Sequence, residues 1–199
     1  MTSGEAGLLL LSGGRSRRMG AAKHALAHPE GGTWGGHLAR VFESVFPGAP
    51  IRVLGAPLSD RPDLPVFDDP RQGPAAALRT WALTEAASPR RWWVVACDQV
   101  RWTPERLAAW ARRAEAADPE ATRWVLAQHG GHLQPLGGWL PDRFRPRLAA
   151  APHRSLMALT EALPHLLLPC DGPEWIDVDT PEERQEFEAE NQSDRQSGR

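Results

Sequence analysis

Cysteine is nearly missing: Cys97 and Cys170 are the only two in 199 residues, too few for a disulfide framework or a thiolate metal centre, so a reducing compartment is expected. Tyrosine is absent beside nine Trp; indoles fill strand and helix faces, and no function attaches to the imbalance. No apolar run reaches the length of a membrane span, and Met1 to Gly7 lacks the basic segment of a secretion signal. The expectation is a cytoplasmic chain with no membrane partner. Charge of one sign is lacking too: 23 basic and 25 acidic residues leave a formal net charge of -2, which supplies no field for nucleic acid. A local cluster of charge must then be weighed as a site.

What is present alternates. Strand-like runs at Leu8 to Leu11, Ile51 to Leu54, Val66-Phe67, Arg91 to Cys97, Arg123 to Gln128, His165 to Leu168 and Trp175 to Val178 are interleaved with helix-like ones. The helical runs are Gly36 to Phe46, Gln72 to about Ala87, Pro104 to about Ala117, Asp142 to Ala151, interrupted or kinked at Pro146, and Ser155 to Leu163. This is the pattern of an α/β fold with a mostly parallel sheet. The length suits one domain over 1–190, and the small, polar tail at 191–199 reads as disordered.

Chemistry concentrates between Leu8 and Lys23. Gly13 and Gly14 follow a strand of the kind buried on both faces, and Arg15, Arg17, Arg18 and Lys23 come after them. Amides in such a turn and charge-assisted bonds from the basic side chains suit phosphate. The spacing is neither a Walker A loop nor GxGxxG, and a solvated arginine-rich turn is the plain alternative. Asp98 follows the apolar run Arg91 to Cys97, where a carboxylate needs exposure or a cation. Asp68 and Asp69 either face a crevice or sit in a solvated turn before Pro70. Thr180, Pro181 and Glu183 make a capping box, which leaves Asp177 and Asp179 unexplained: two apart on a strand end, they would repel unless a cation intervened. His129 and His132 lack a third metal ligand and read as a polar loop. His153 and Arg154 either flank an acceptor or start a surface helix.

The stretch LSGGRSRRMGAAK resembles the signature L-x-G-G-x-S-x-R-M-G-x-x-K of nucleotidyltransferases related to molybdenum cofactor guanylyltransferase. Asp68-Asp69 with GPAAAL, Cys97-Asp98 and DVDTPEE are similar to the family's later motifs, so the resemblance spans Leu8 to about Phe187. It implies a Rossmann-like three-layer α/β/α nucleotidyltransferase fold, GTP and molybdopterin as substrates, Mg2+ as cofactor, and transient contact with cofactor-handling proteins. Carried onto this sequence, Arg18, Lys23 and Asp98 are catalytic. Leu11, Ser12, Gly13, Gly14, Arg15, Ser16, Arg18, Lys23, Asp69, Gly73 and Asp98 bind nucleotide, with backbone at Leu11 to Gly13 reading the base. Asp98, Asp179 and Asp177 hold the metal, and Gln134 and Pro135 line the acceptor side. Ala22, Ala77 and Val100 depart from the family pattern. The same chemistry with CTP or another phosphorylated acceptor, a catalytically idle nucleotide-binding module, and a nucleic-acid binder using the arginine loop are the alternatives.

Overall fold

The computed structural model describes residues 1–14, 19–84, 89–152 and 155–197. Among these, one sheet contains β1 (Ala6–Leu11), β2 (Ile51–Leu54), β3 (Val66–Phe67), β4 (Arg91–Ala96), β5 (Trp124–His129), β6 (His132–Pro141) and β7 (His165–Pro169), in the order β3-β2-β1-β4-β6-β5-β7. Every neighbouring pair is parallel except those that β6 makes with β4 and β5.

Helices α1 (Trp34–Val45), α2 (Pro74–Ala82), α3 (Pro104–Ala117), α4 (Arg145–Ala150), α5 (Leu156–Ala162) and α6 (Pro181–Ser197) complete the chain. Successive side chains of a strand point to opposite faces. Leu8, Leu10, Trp93 and Val95 accordingly pack with Phe42 of α1 and Trp110 of α3, while Leu9, Leu11, Trp92 and Val94 pack with Trp81 of α2 and Leu148 of α4. Helices on both faces make three layers and explain why β1 and β4 are apolar throughout.

Strand order reverses between β1 and β4, and ligand crevices in such sheets open past the carboxyl ends of the strands at that point. Leu11 pairs with Ala96, and the Cys97 amide donates to the Leu11 carbonyl at 3.0 Å. The glycine loop after β1 and Asp98 after β4 therefore leave the sheet side by side.

Pro135 is tolerated inside β6 because the ladder to β5 shifts there: Ala127 faces Gln134, but Val125 faces Trp139. The extra residues bulge, and a bulge is where a strand can hold proline. Gly137 in this bulge has φ 86°, and its carbonyl accepts the indole N–H groups of Trp93 at 3.0 Å and Trp110 at 2.8 Å.

Two expectations are corrected and a third is narrowed. Trp175 to Val178 is not a strand: Pro173–Trp175 is a 3-10 turn that drives Trp175 edge-on against Trp102 and Trp110, at 4.9 and 5.1 Å. Residues 176–179 then run extended across the end of β4, joined to it by the Val178 amide donating to the Asp98 carbonyl at 3.1 Å. The segment read as a disordered tail is helical as far as Ser197 in α6, since the capping box nucleates a helix that a Glu-, Gln- and Arg-rich sequence can extend. The run from Asp142 is interrupted at Pro146, not kinked: Asp142–Phe144 is a 3-10 turn, and Pro146 lies in the first turn of α4. Among the described residues no helix is long and apolar enough to cross a membrane.

Candidate functional site

The loop after β1 is pinned by its neighbours. The Ser12 and Gly13 amides both donate to the Leu54 carbonyl, at 3.0 and 3.3 Å, and the Ser12 hydroxyl donates to the Ala56 carbonyl at 2.7 Å. Those two amides are thus committed to the end of β2 and not turned to phosphate or base, and the Leu11 carbonyl already accepts from Cys97. The part of the loop open to a ligand starts at Gly14, whose φ of 137° favours glycine. Arg15, Ser16 and Arg18, the next residues expected on the nucleotide, lie outside the described residues, as do Arg17, His153 and Arg154.

Gly13 is needed for space. A Cβ there would fall 2.0 Å from Asp69 Oδ2, and one on Gly55 would fall 2.5 Å from the Gly13 nitrogen. Moving Asp69 aside would break the bond that its Oδ1 accepts from the Arg71 amide at 2.8 Å. Asp69 therefore packs on the glycine loop and is not merely part of a solvated turn. Gly73, at φ 98°, caps α2 ahead of Pro74, and Ala77 is buried in that helix.

Past β4 three segments converge. Lys23 opens a 3-10 turn, Lys23–Ala25, and its Nζ donates to Asp98 Oδ2 at 2.9 Å and to Asp179 Oδ1. The Lys23 and Asp98 side chains are 11% and 22% exposed, whereas Asp179 is 47% exposed. Burial alone would lower the Lys23 pKa, but the charges and hydrogen bonds of Asp98 and Asp179 outweigh it and hold the ammonium above its ordinary value. The capping box also aims Asp179. The Asp179 and Thr180 amides donate to the Glu183 carboxylate at 2.6 and 2.9 Å, and the Glu183 amide donates to Thr180 Oγ1 at 3.2 Å. Val100 is buried with Leu26, Trp34, Val178 and Phe187 and packs the turn after Asp98 against the start of this segment.

Asp177 reaches the surface, yet the protein crowding its carboxyl, followed by the charges of Asp98 and Asp179, pushes its pKa up from 3.8 to about 6. The folded state then binds this proton more tightly than the unfolded chain, so the stabilisation is present at low pH and is lost as pH rises through about 6. Asp177→Asn is expected to stabilise the fold at about pH 7.5 by on the order of 1 kcal/mol, discounted for solvent screening, and hardly at all at about pH 3, below the ordinary carboxyl value. Thermal melts of both proteins at the two pH values measure this, and equal gains at both would remove the titration from the explanation.

Among the described residues, a group of three ligand-type side chains with atoms within 4.8 Å of one another lies elsewhere, at His28, Glu30 and His37. The histidine rings stack at 3.6 Å with 12° between their planes, and each Nε2 faces a carbonyl, Val100 at 3.3 Å and Trp102 at 3.0 Å. Nearly parallel rings cannot both aim in-plane lone pairs at one ion, so the pair is a brace for the loop after Asp98. Sequence reading missed it, since the carbonyls lie 72 and 65 residues further along the chain. A wide cleft of about 1030 Å3 opens beside this brace, lined in part by Arg101, Arg106, Phe187 and Glu190, and it includes none of Lys23, Asp98 or Asp179. The chemistry locates the site better than the size of the cleft does. His129 Nδ1 meets the Cys170 carbonyl at 3.0 Å, in keeping with the polar-loop reading. Gln134 and Pro135 precede the β6 residues that pair with β4, on the carboxyl side of that strand and so at the same end of the sheet as Asp98.

A family model described as the MobA-like NTP transferase domain matches residues 8–173. The chain belongs to that family. Molybdenum cofactor guanylyltransferase of Bradyrhizobium sp. (strain ORS 278) is 33% identical over 151 residues, which cover 72% of this chain and 69% of that protein. Among solved structures, molybdopterin-guanine dinucleotide biosynthesis protein A of Archaeoglobus fulgidus shares the fold with a TM-score of 0.72 at 15% identity, covering 94% of this chain and 99% of that one. Rv0371C of Mycobacterium tuberculosis H37Rv, in complex with manganese, does so with a TM-score of 0.62 at 20% identity over 92% and 97% of the two chains. The MobA-like match includes Lys23 and Asp98 but ends before Asp177 and Asp179.

Proposed function

We propose that this MobA-like nucleotidyltransferase transfers GMP from GTP to molybdopterin, with Mg2+ as the divalent cation. A terminal phosphate oxygen of molybdopterin forms the new bond to the α-phosphorus of GTP, the bond from that phosphorus to the bridging oxygen breaks, and pyrophosphate leaves. The observation that carries the reading is the Lys23 ammonium held between Asp98 and Asp179 beside the pinned glycine loop. Two carboxylates that converge on one positive charge have the chemistry of a cation site and fit a divalent ion. Mg2+ held by Asp98 and Asp179, with Asp177 beside them, would offset the charge of the phosphate oxygens and polarise the α-phosphorus.

The protein's own part is to position groups and balance charge, because the attacking phosphate is already ionised and needs no strong base. Lys23 and Arg18 carry the charge of the triphosphate and of the departing pyrophosphate. In this reading Gly14, Arg15 and Ser16 bind phosphate, Asp69 and Gly73 border the nucleotide, and Gln134 and Pro135 serve the acceptor. The choice of guanine is supported by the name of the Bradyrhizobium relative. With the Ser12 and Gly13 amides committed to Leu54, the carbonyls of the loop, not those amides, would meet the donor edge of guanine. GTP with Mg2+ should raise the melting temperature more than CTP, ATP or UTP does. A larger shift with CTP would move the enzyme to cytidylyl transfer, and equal shifts would remove the base choice.

A further inference from the structure

Lys23 is the only lysine among 23 basic residues; every other one is arginine. The difference is physical, since a guanidinium grips a carboxylate with a fixed fork, whereas an ammonium is a compact point charge on a flexible stem that another small cation can replace. This one lysine is placed against Asp98 Oδ2 at 2.9 Å and against Asp179 Oδ1, the oxygens assigned above to the divalent ion. Ammonium and metal cannot both take those oxygens, because two like charges in so small a space repel.

We infer that Lys23 is an exchangeable counter-ion, which closes the Asp98–Asp179 pair to divalent cations until a polyphosphate draws the ammonium away. The inference rests on the proposed nucleotide and metal site but not on the base or the acceptor. A triphosphate carries several negative charges and offers the ammonium a stronger partner. As Lys23 turns to it, Asp98 and Asp179 are left with uncompensated charge and take up the metal. Nucleotide and metal then favour each other, and by linkage the effect is reciprocal. The cation is recruited when there is phosphate to neutralise.

Two measurements test this separately from the transfer reaction. Mn2+ binding without nucleotide, followed by electron paramagnetic resonance, should be roughly tenfold tighter in Lys23→Met than in the parent chain, although removing a ligand-binding lysine would ordinarily weaken a site. Equal or weaker Mn2+ binding in the variant overturns the inference. The second measurement uses the unaltered protein labelled with 13C-lysine, in which a lone lysine gives one Cε resonance. That resonance should shift with inorganic tripolyphosphate alone and stay in place with Mg2+ alone at concentrations that leave the parent's acid pair empty of metal. A resonance indifferent to tripolyphosphate would show that the ammonium never leaves the acids. Failure to make a guanylyl product would touch neither result, so the two readings fall independently.

Discussion

Asp98→Asn is expected to lower kcat/KM for nucleotidyl transfer by about a thousandfold, or ~4 kcal/mol of transition-state stabilisation, with the melting temperature little changed. An amide oxygen ligates a hard divalent ion far more weakly than a carboxylate does. The fold should hold because the Asp98 main-chain carbonyl, not its side chain, accepts from Val178, and Lys23 keeps its bond to Asp179. Asp179→Asn should be milder, about tenfold, because the capping box that sets its backbone is made by Thr180 and Glu183 and survives the change. Pyrophosphate release against Mg2+ concentration distinguishes the two variants. Near-normal turnover in Asp98→Asn would take this residue out of the metal site.

Gly13→Ala should cost about 1 kcal/mol of stability and weaken nucleotide binding, because the Asp69 carboxylate has to swing away from the loop and give up its bond to the Arg71 amide. The new methyl group would sit 2.0 Å from Asp69 Oδ2, and Asp69 is tied to the Arg71 amide. Loop and acid would separate and widen the crevice at the end of β1. Since the two positions touch, their effects are coupled, and adding Asp69→Ala to Gly13→Ala should restore part of the lost stability. Denaturant melts of the two single variants and the double variant give the coupling. Strict additivity would mean that the acid and the loop do not press on each other.

Much of this was legible because the signals were local. Leu8 to Leu11 and Arg91 to Cys97 read as strands buried on both faces, and β1 and β4 are the pair at the centre of the sheet where the order reverses. Thr180 and Glu183 gave a capping box three residues apart, with the expected hydrogen bonds. The failures have a common cause in tertiary competition. Trp175 to Val178 has strand-like composition, but Trp175 is claimed by the tryptophan cluster of Trp102 and Trp110, and Val178 finds its partner at the end of β4 and not along an edge. The Ser12 and Gly13 amides looked available from the glycine-rich sequence, whereas the structure turns them to Leu54 on β2. Val100, noted as a departure from the family pattern, is buried with Leu26, Trp34 and Phe187, a role that no local spacing could have revealed. The same holds for the bridge from Lys23 to Asp98 and Asp179, which joins positions 75 and 156 residues apart in sequence.

The most direct measurement is a product analysis of the purified chain supplied with Mg2+, molybdopterin and all four nucleoside triphosphates together. The account predicts the guanine dinucleotide form of the cofactor as the dominant product, with one pyrophosphate released for each molecule made. Cytosine dinucleotide in excess, or no transfer from any of the four despite bound nucleotide, would contradict it.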